Sequence, residues 1–224
     1  MEKVQEKGAG NLRRIHSKVP EKDLILEAAG ILKSGGAIIF PTLALYGLGA
    51  NALDTKAVQR VFEIKNRPLN KPLLVLVQNM EGLRALVKNV PKSAEKLMKQ
   101  FWPGNVTLVF EARDTVCEIL CAGTGKIGIR MPQHPVAKAL CRATGTPITA
   151  TSANLSGDSG YESINLMPPS LVSQVDVILD AGTLAGGLGS TVVDVTLDPP
   201  RILREGNTDS ERILAALGKP SARS

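Results

Sequence analysis

Two kinds of hydrophobic pattern alternate along the chain. Apolar residues spaced three or four apart predict amphipathic helices, most clearly over residues 21–33 and 134–142. Short, largely apolar segments such as AIIF, VTLVF, KIGIR, PITAT and VDVILD predict strands, and the continuous run LLVLV predicts one buried on both faces. Because these strands and helices alternate through most of the chain, we predict an α/β fold: a single-domain, twisted, mixed β-sheet flanked by helices.

Polar residues between these segments predict where helices begin and end. Asp54 is expected to cap the helix that follows it. The sequence Thr208-Asp209-Ser210-Glu211 is typical of a capping box, and it predicts a last helix that ends at Gly218.

Charge separates the N-terminus from the rest of the chain. Residues 1–22 hold six Lys or Arg and three Asp or Glu, so they contribute +3 (six minus three) to the net charge of +6. We predict a flexible basic N-terminal arm over 1–18, one folded domain over 19–218 and a disordered C-terminal tail over 219–224. The arm shows no apolar periodicity, so its removal is expected to leave activity in place. The mildly basic remainder fits a phosphate ligand or a transient RNA partner.

Composition argues against several classes of protein. The chain has 224 residues, of which 43% are hydrophobic and 21% charged, as in ordinary soluble globular proteins. Its apolar runs are too short to span a bilayer and its N-terminus has no secretory h-region, so we expect a cytoplasmic protein that does not bind membranes. Three cysteines without metal spacing and only two histidines argue against a metal site or a Ser-His-Asp triad.

Polar residues suited to an anionic ligand follow several predicted strands, where ligands collect in open α/β sheets. Lys65 and Arg67 lie on a loop, because Pro68 and Pro72 prevent a helix from continuing there. The other candidates are Thr42, Arg130, Ser152, Asn154, Ser190 and Arg204. Each also has a plain structural interpretation, such as a solvated loop, a helix cap or a buried ion pair. Together they describe an anion pocket without an acid–base pair, a metal cage or a nucleophile.

Six segments of the chain match the ordered motifs of a known family. GGAIIFPTLALYGLGANA and VFEIKNRPLNKPLLVLV come first, followed by FWPGNVTLVF, IGIRMPQHP, ITATSANLSG, and GSTVVDVT with RILREG. From about residue 21 to residue 206 the chain thus resembles the YrdC/Sua5 family of threonylcarbamoyl-AMP synthases. It departs from the family pattern where Leu43 and Ala44 replace Asp-Thr and where Asn105 replaces a proline. Longer family members carry an extra C-terminal domain, so this chain looks like the short type.

The resemblance implies a YrdC-like fold and the activity of an L-threonylcarbamoyladenylate synthase, which is a nucleotidyltransferase. Such an enzyme forms threonylcarbamoyl-AMP and pyrophosphate from L-threonine, bicarbonate or CO2, and ATP, for the t6A37 modification of tRNA. The implied partners therefore include ATP as a substrate and Mg2+ bound mainly through ATP. The product would pass to a tRNA threonylcarbamoyl transferase complex, and the protein itself could bind tRNA or double-stranded RNA.

The resemblance also assigns roles to individual residues. Lys65 and Arg67 are the implied catalytic residues. The implied ATP-binding residues are Lys65, Arg67, Arg130, Ser152, Asn154 and Arg204. The implied L-threonine-binding residues are Thr42, Arg67, Ala150 and Ser190. No side chain is assigned to a metal ion.

Two other functions remain open at this point. The first is a non-catalytic double-stranded RNA or tRNA-binding module, in which Lys65 and Arg67 contact the phosphate backbone. Four Phe, two Tyr and one Trp are few for a protein that stacks single-stranded bases. The second is a carbamoyl-handling unit of the hydrogenase-maturation type. That function would want an acylphosphatase-like region and zinc-finger cysteines, which this chain lacks.

Overall fold

The computed structural model describes residues 10–218. Its helices are α1 (Lys22–Lys33), α2 (Thr55–Lys65), α3 (Met80–Leu86), α4 (Lys92–Phe101), α5 (Glu118–Cys121), α6 (Pro135–Thr144), α7 (Pro169–Val172) and α8 (Ser210–Ala216). Its strands are β1 (Leu12–Arg14), β2 (Ile38–Pro41), β3 (Tyr46–Gly49), β4 (Leu74–Leu76), β5 (Val106–Glu111), β6 (Lys126–Arg130), β7 (Ile148–Thr149), β8 (Thr151–Ser152), β9 (Val177–Asp180), β10 (Thr191–Asp194) and β11 (Arg201–Arg204). Within residues 10–218, none of the helices has the length and apolarity needed to cross a membrane.

The strands form two mixed sheets. The small sheet has the order β1-β9-β2-β3-β8, and the large sheet has the order β11-β10-β5-β6-β4-β7. The predicted α/β class and mixed strand pairing are confirmed, but the strands divide between two sheets where one was expected. The predicted strand PITAT is where the chain passes between them: β7 belongs to the large sheet and β8 to the small one. Between these strands, the Ala150 N–H donates to the Leu74 carbonyl at 2.8 Å.

The large sheet has one face in the core and one face open. Leu108 and Phe110 of β5 and Ile127 and Ile129 of β6 are at most 1% exposed and pack in the main hydrophobic cluster. Because side chains alternate along a strand, the residues between them point to the opposite face. That opposite face forms one wall of the candidate site.

Two helix starts test the capping predictions. The Asp54 carboxylate accepts from the backbone N–H groups of Lys56 and Ala57, so the predicted cap is confirmed. At α8 the cap is Asp209, which accepts from the Glu211 N–H at 2.8 Å, and not Thr208, the first residue of the predicted capping box. The Thr208 carbonyl instead accepts from the Thr191 hydroxyl, a bond that ties the loop to β10.

The N-terminal segment is the main correction to the sequence analysis. Residues 10–18 were assigned to a flexible arm, but Leu12–Arg14 forms β1 and pairs in parallel with β9. Ile15 is only 6% exposed, and Arg13 forms a salt bridge with Glu27 of α1 at 2.9 Å. The segment has too few apolar residues to show a hydrophobic periodicity. Its order comes from pairing with a distant strand, which local sequence does not reveal. Residues 1–9 of the predicted arm and the predicted tail 219–224 lie outside the described residues.

Candidate functional site

A cavity of about 450 Å³ lies where the two sheets meet. The small sheet and its loops contribute one side, through residues such as Thr42, Tyr46 and Ser152. The large sheet contributes the other side, with Arg67 on the loop between α2 and β4. The polar or charged residues that line the cavity include Thr42, Arg67, Asn105, Thr107, Lys126, Arg130, Ser152, Ser190, Asp194 and Arg204.

Strand alternation builds the floor of the cavity. Every second residue of three neighbouring strands, or of the loop just before them, lines it: Asn105, Thr107, Val109, Lys126, Gly128, Arg130, Ser190, Val192 and Asp194. Gly128 keeps the centre of this floor open, because a Cβ atom there would lie 3.3 Å from the Thr107 methyl carbon. The floor is therefore a sheet surface with polar groups around an unfilled middle.

Three arginines converge on the cavity without a carboxylate partner. Within residues 10–218, none of Arg67, Arg130 and Arg204 forms a salt bridge. Arg130 is 7% exposed, donates from Nη1 to the Asn105 side-chain oxygen at 2.9 Å, and has a buried Nε that lacks a hydrogen-bond partner. Burial, and then the charge of Arg204, lowers the pKa of Arg130 to about 10. This uncompensated positive charge suits an anionic ligand.

Arg67 and Arg204 are oriented by backbone oxygens. Arg67 donates from Nε to the Lys71 carbonyl at 3.0 Å and from Nη2 to the Pro72 carbonyl at 2.9 Å. Arg204 donates from Nη2 to the Ser190 carbonyl at 2.7 Å. Burial is the main cause that lowers the pKa of both arginines, and for Arg67 the charge of Arg204 adds to it. Neutral acceptors thus hold both guanidinium groups and leave their positive charge available.

Lys65 lies behind the wall of the cavity. Its side chain is 1% exposed, and its Nζ donates to the Ser152 carbonyl at 2.5 Å and to the Asn154 backbone and side-chain oxygens at 2.6 and 2.8 Å. Burial, and then the charge of Arg67, lowers the pKa of Lys65 to about 7, against an opposing effect of Asp158. The sequence placed Lys65 beside the ligand, but three protein oxygens already accept from its ammonium group.

Ser152 lines the cavity, but Asn154 does not. Asn154 Oδ1 accepts from Lys65 and from the Ser152 hydroxyl, the latter at 2.5 Å, and Asn154 Nδ2 donates to the Asp158 carbonyl at 2.6 Å. Asn154 therefore shapes the loop over residues 152–158. Of the nine residues assigned to the site from the sequence, seven line the cavity and two, Lys65 and Asn154, support its wall.

The cavity hydroxyls are partly committed to the protein. Thr42 donates to the Leu45 carbonyl at 2.6 Å, so its oxygen can accept but its proton is used. Ser190 and Thr107 share one hydrogen bond at 2.7 Å, in which only one hydroxyl donates to the other. Within residues 10–218, the hydroxyl that accepts in this pair has no other acceptor for its own proton, so that proton can reach a ligand.

Several polar residues of the cavity lining were not assigned to the site from the sequence, and Asn105, Thr107, Lys126 and Asp194 are among them. Lys126 donates to Asp194 at 2.9 Å, and Thr196 occupies the other carboxylate oxygen with its N–H and hydroxyl. Burial would raise the pKa of Asp194, but the bonds from Thr196 and Lys126 lower it. For Lys126 the signal was present in the strand pattern, since K-I-G-I-R places its charged residues and glycine on one face and its isoleucines on the other.

The arginine-rich lining of the cavity suits an anionic ligand, and among residues 10–218 it brings together no acid–base pair of a carboxylate and a histidine. Among the described residues 10–218, Asp194 is the one carboxylate in the cavity lining, and both of its oxygens accept hydrogen bonds. Among residues 10–218, no three His, Cys, Asp or Glu side chains are grouped so that they could hold a metal ion. Such a site would work by alignment and charge neutralisation.

The chain is similar to known proteins over most of its length. The family model Sua5/YciO/YrdC, described as telomere recombination, matches residues 30–206. A threonylcarbamoyl-AMP synthase of Pyrococcus abyssi is 40% identical over 192 residues, which cover 86% of this chain and 56% of that protein. A threonylcarbamoyl-AMP synthase of Chromobacterium violaceum is 35% identical over 202 residues, which cover 88% of this chain and 98% of that protein.

A solved structure shows the same fold. The crystal structure of P. abyssi Sua5 complexed with L-threonine matches with a TM-score of 0.87 and 37% identity, over 93% of this chain and 61% of that one. The chain therefore spans little more than half the length of the P. abyssi protein.

Proposed function

The chain belongs to the Sua5/YciO/YrdC family, and from this membership and the arginine-rich cavity we propose that it is an L-threonylcarbamoyladenylate synthase. The observation that carries the proposal is the convergence of Arg67, Arg130 and Arg204 on one cavity without a salt-bridge partner in residues 10–218. ATP, a carbamate and an amino-acid carboxylate all bring negative charge to a shared site. Three guanidinium groups would offset that charge where the reacting groups meet.

The proposed reaction needs no nucleophile from the protein. The deprotonated amine of L-threonine adds to CO2 and forms a carbamate, and the proton that is released passes to water or bicarbonate. A carbamate oxygen then attacks the α-phosphorus of ATP, and the bond to pyrophosphate breaks. The products are threonylcarbamoyl-AMP and pyrophosphate. A cavity that aligns three substrates and stabilises charge supplies what these steps require.

The proposed roles follow the position of each side chain. Arg67, Arg130, Ser152 and Arg204 would bind the nucleotide. L-Threonine would contact Thr42, Arg67, Ala150 and Ser190. Lys65 and Asn154 would act indirectly, by fixing the loop that carries Ser152.

Mg2+ would enter this site with ATP. Asp194 is the one acid that residues 10–218 contribute to the cavity lining, and Lys126 and Thr196 engage both of its oxygens, so phosphate oxygens and water would supply most of the metal ligands. Bound in this way, Mg2+ would offset phosphate charge.

The wider role that we propose is in tRNA modification. Threonylcarbamoyl-AMP is a mixed anhydride, so a tRNA-modifying transferase would use it as the donor of the threonylcarbamoyl group. The unpaired thiols of Cys117, Cys121 and Cys141 fit the reducing cytoplasm where such chemistry takes place.

The decisive experiment incubates the full chain with ATP, bicarbonate and L-threonine, and it measures pyrophosphate together with the adenylated product. We expect pyrophosphate release that requires all three substrates. Release that ignores the amino acid would contradict the synthase proposal. Binding of double-stranded RNA with steep salt dependence, without any turnover, would instead support the RNA-binding alternative.

A further inference from the structure

Asn105 lies at the start of the cavity floor, on the loop that enters β5. Its side chain lines the cavity, and its backbone carbonyl accepts from the Thr191 N–H at 3.1 Å. The indole N–H of Trp102 donates to the Val106 carbonyl at 2.7 Å and closes the same loop. The amide side chain thus projects from a backbone that is fixed on both sides.

Arg130 depends on Asn105 for its orientation. Within the described part of the chain, the Arg130 guanidinium has one hydrogen-bond acceptor, the Asn105 side-chain oxygen at 2.9 Å. A carboxylate in that place would neutralise the guanidinium, whereas an amide oxygen aims it and leaves its full charge available. The partnerless Nε of Arg130 indicates that the group awaits a further acceptor.

The hydrogen bond to Arg130 also fixes which end of the Asn105 amide remains available. Because Oδ1 accepts from Arg130, the two Nδ2–H donors belong to the other end of the amide, and no acceptor for them is found within residues 10–218. An amide donor and a guanidinium donor, joined at a fixed distance on one cavity wall, match two oxygens of one anionic group.

We propose that Asn105 is a substrate-contacting residue that positions Arg130 and donates its own Nδ2–H to the same anionic group, a carboxylate or a phosphate. This inference rests on the proposed synthase function, which supplies L-threonine and ATP as the two sources of such a group. The motif that this chain resembles has a proline at this position, which offers no side-chain amide.

The test uses the full chain with Asn105→Ala and Asn105→Asp, and with Asn89→Asp as a matched control at an exposed asparagine. Affinity for ATP and for L-threonine is measured separately by calorimetry, alongside the thermal midpoint of each variant. Asn105→Ala should lower the affinity for one of the two ligands by about 10-fold, as expected for a lost hydrogen bond to a charged group. Asn105→Asp keeps an acceptor for Arg130 but repels the anion, so it should lower the affinity for the same ligand by about 100-fold without lowering the thermal midpoint.

The ligand that loses affinity identifies the source of the anion: ATP indicates a phosphate, and L-threonine a carboxylate. Wild-type affinity for both ligands in both variants would overturn the inference and leave the synthase proposal standing. Equal losses in Asn105→Ala and Asn105→Asp that follow a lower thermal midpoint would also overturn it, because they would show a structural role alone. If the wild-type chain binds neither ligand and releases no pyrophosphate, the synthase proposal fails, and this inference fails with it.

Discussion

Lys65 and Arg67 are separated by one residue, yet only Arg67 lines the cavity. Helix α2 ends at Lys65, and Asn66 adopts a left-handed conformation (φ 49°, ψ 45°) that turns the chain before Arg67. Residue types and spacing predicted an anion site for both cations. Residue types and spacing cannot predict which of the two cations is buried against protein oxygens. The oxygens that accept from Lys65 lie 87 and 89 positions further along the chain.

Lys65→Met and Arg67→Met should therefore have different effects. Loss of Lys65 leaves the Asn154 carbonyl without a donor among residues 10–218, at about 1–3 kcal/mol of unfolding free energy, whereas the Ser152 carbonyl and Asn154 Oδ1 each keep a second donor. Arg67→Met should leave the fold stable but lower kcat/KM by about 10²–10³, as for the loss of a donor that stabilises transition-state charge. Urea denaturation and pyrophosphate release on both variants separate the two effects. Two stable but inactive variants would show that Lys65 also acts directly on the substrates.

The pKa of Lys65 predicts a pH dependence of stability. Its pKa is about 7 in the folded chain and near its ordinary value of 10.5 in the unfolded chain, so between these values the unfolded state binds more protons. The unfolding free energy of the wild type should accordingly rise with pH over this window, relative to Lys65→Met, by at most about 1.4 kcal/mol per pH unit. Denaturant titrations from pH 7 to pH 9.5 at constant ionic strength measure the difference. A difference that stays flat would place the folded-state pKa of Lys65 near its ordinary value.

At the scale of elements, the long amphipathic helices and apolar strands were predictable, and β1 was not. Residues 21–33 predicted α1 within one residue of its observed start, because its apolar stripe repeats with helical spacing. Leu12–Arg14 carries a single apolar residue, and parallel pairing with β9 is what orders it. Pairing between distant strands leaves no local pattern, so sequence periodicity alone cannot detect it.

Truncation tests the contribution of β1. A chain that begins at Lys18 loses the strand, the buried Ile15 and the Arg13–Glu27 salt bridge, whereas a chain that begins at Gly10 keeps all three. We expect the shorter chain to lose about 2–3 kcal/mol of unfolding free energy, mainly from Ile15. Since β1 and the cavity-lining β8 lie at opposite edges of the small sheet, turnover well below the thermal midpoint should persist. Equal stability of the two truncations would show that β1 contributes nothing measurable.

At the scale of the whole molecule, the site depends on two sheets meeting, and that arrangement could not be predicted from local sequence. The α/β class and the family motifs could be identified in the sequence. Of the nine residues that the motifs assigned to the site, seven line one cavity. The division into two sheets follows from non-local pairing at β7 and β8, which a strand-by-strand interpretation of PITAT cannot resolve. Likewise, the polar floor becomes apparent only when neighbouring strands are aligned in register.

A cavity lined by both sheets predicts that its substrates stabilise the whole fold. Ser152 and Thr42 come from the side of the small sheet, and Arg130 and Arg204 from the large sheet, so a ligand held by both groups binds only the folded chain. ATP and L-threonine at 100 times their dissociation constants should each raise the unfolding free energy by about 2.7 kcal/mol. At equal concentration, stabilisation should decrease from threonine to serine to valine, because valine leaves the hydrogen-bonding groups of Thr42 and the Ser190–Thr107 pair unmatched. Thermal unfolding with each amino acid in the presence of ATP measures this order, and equal shifts with valine and threonine would rule out recognition of the substrate hydroxyl.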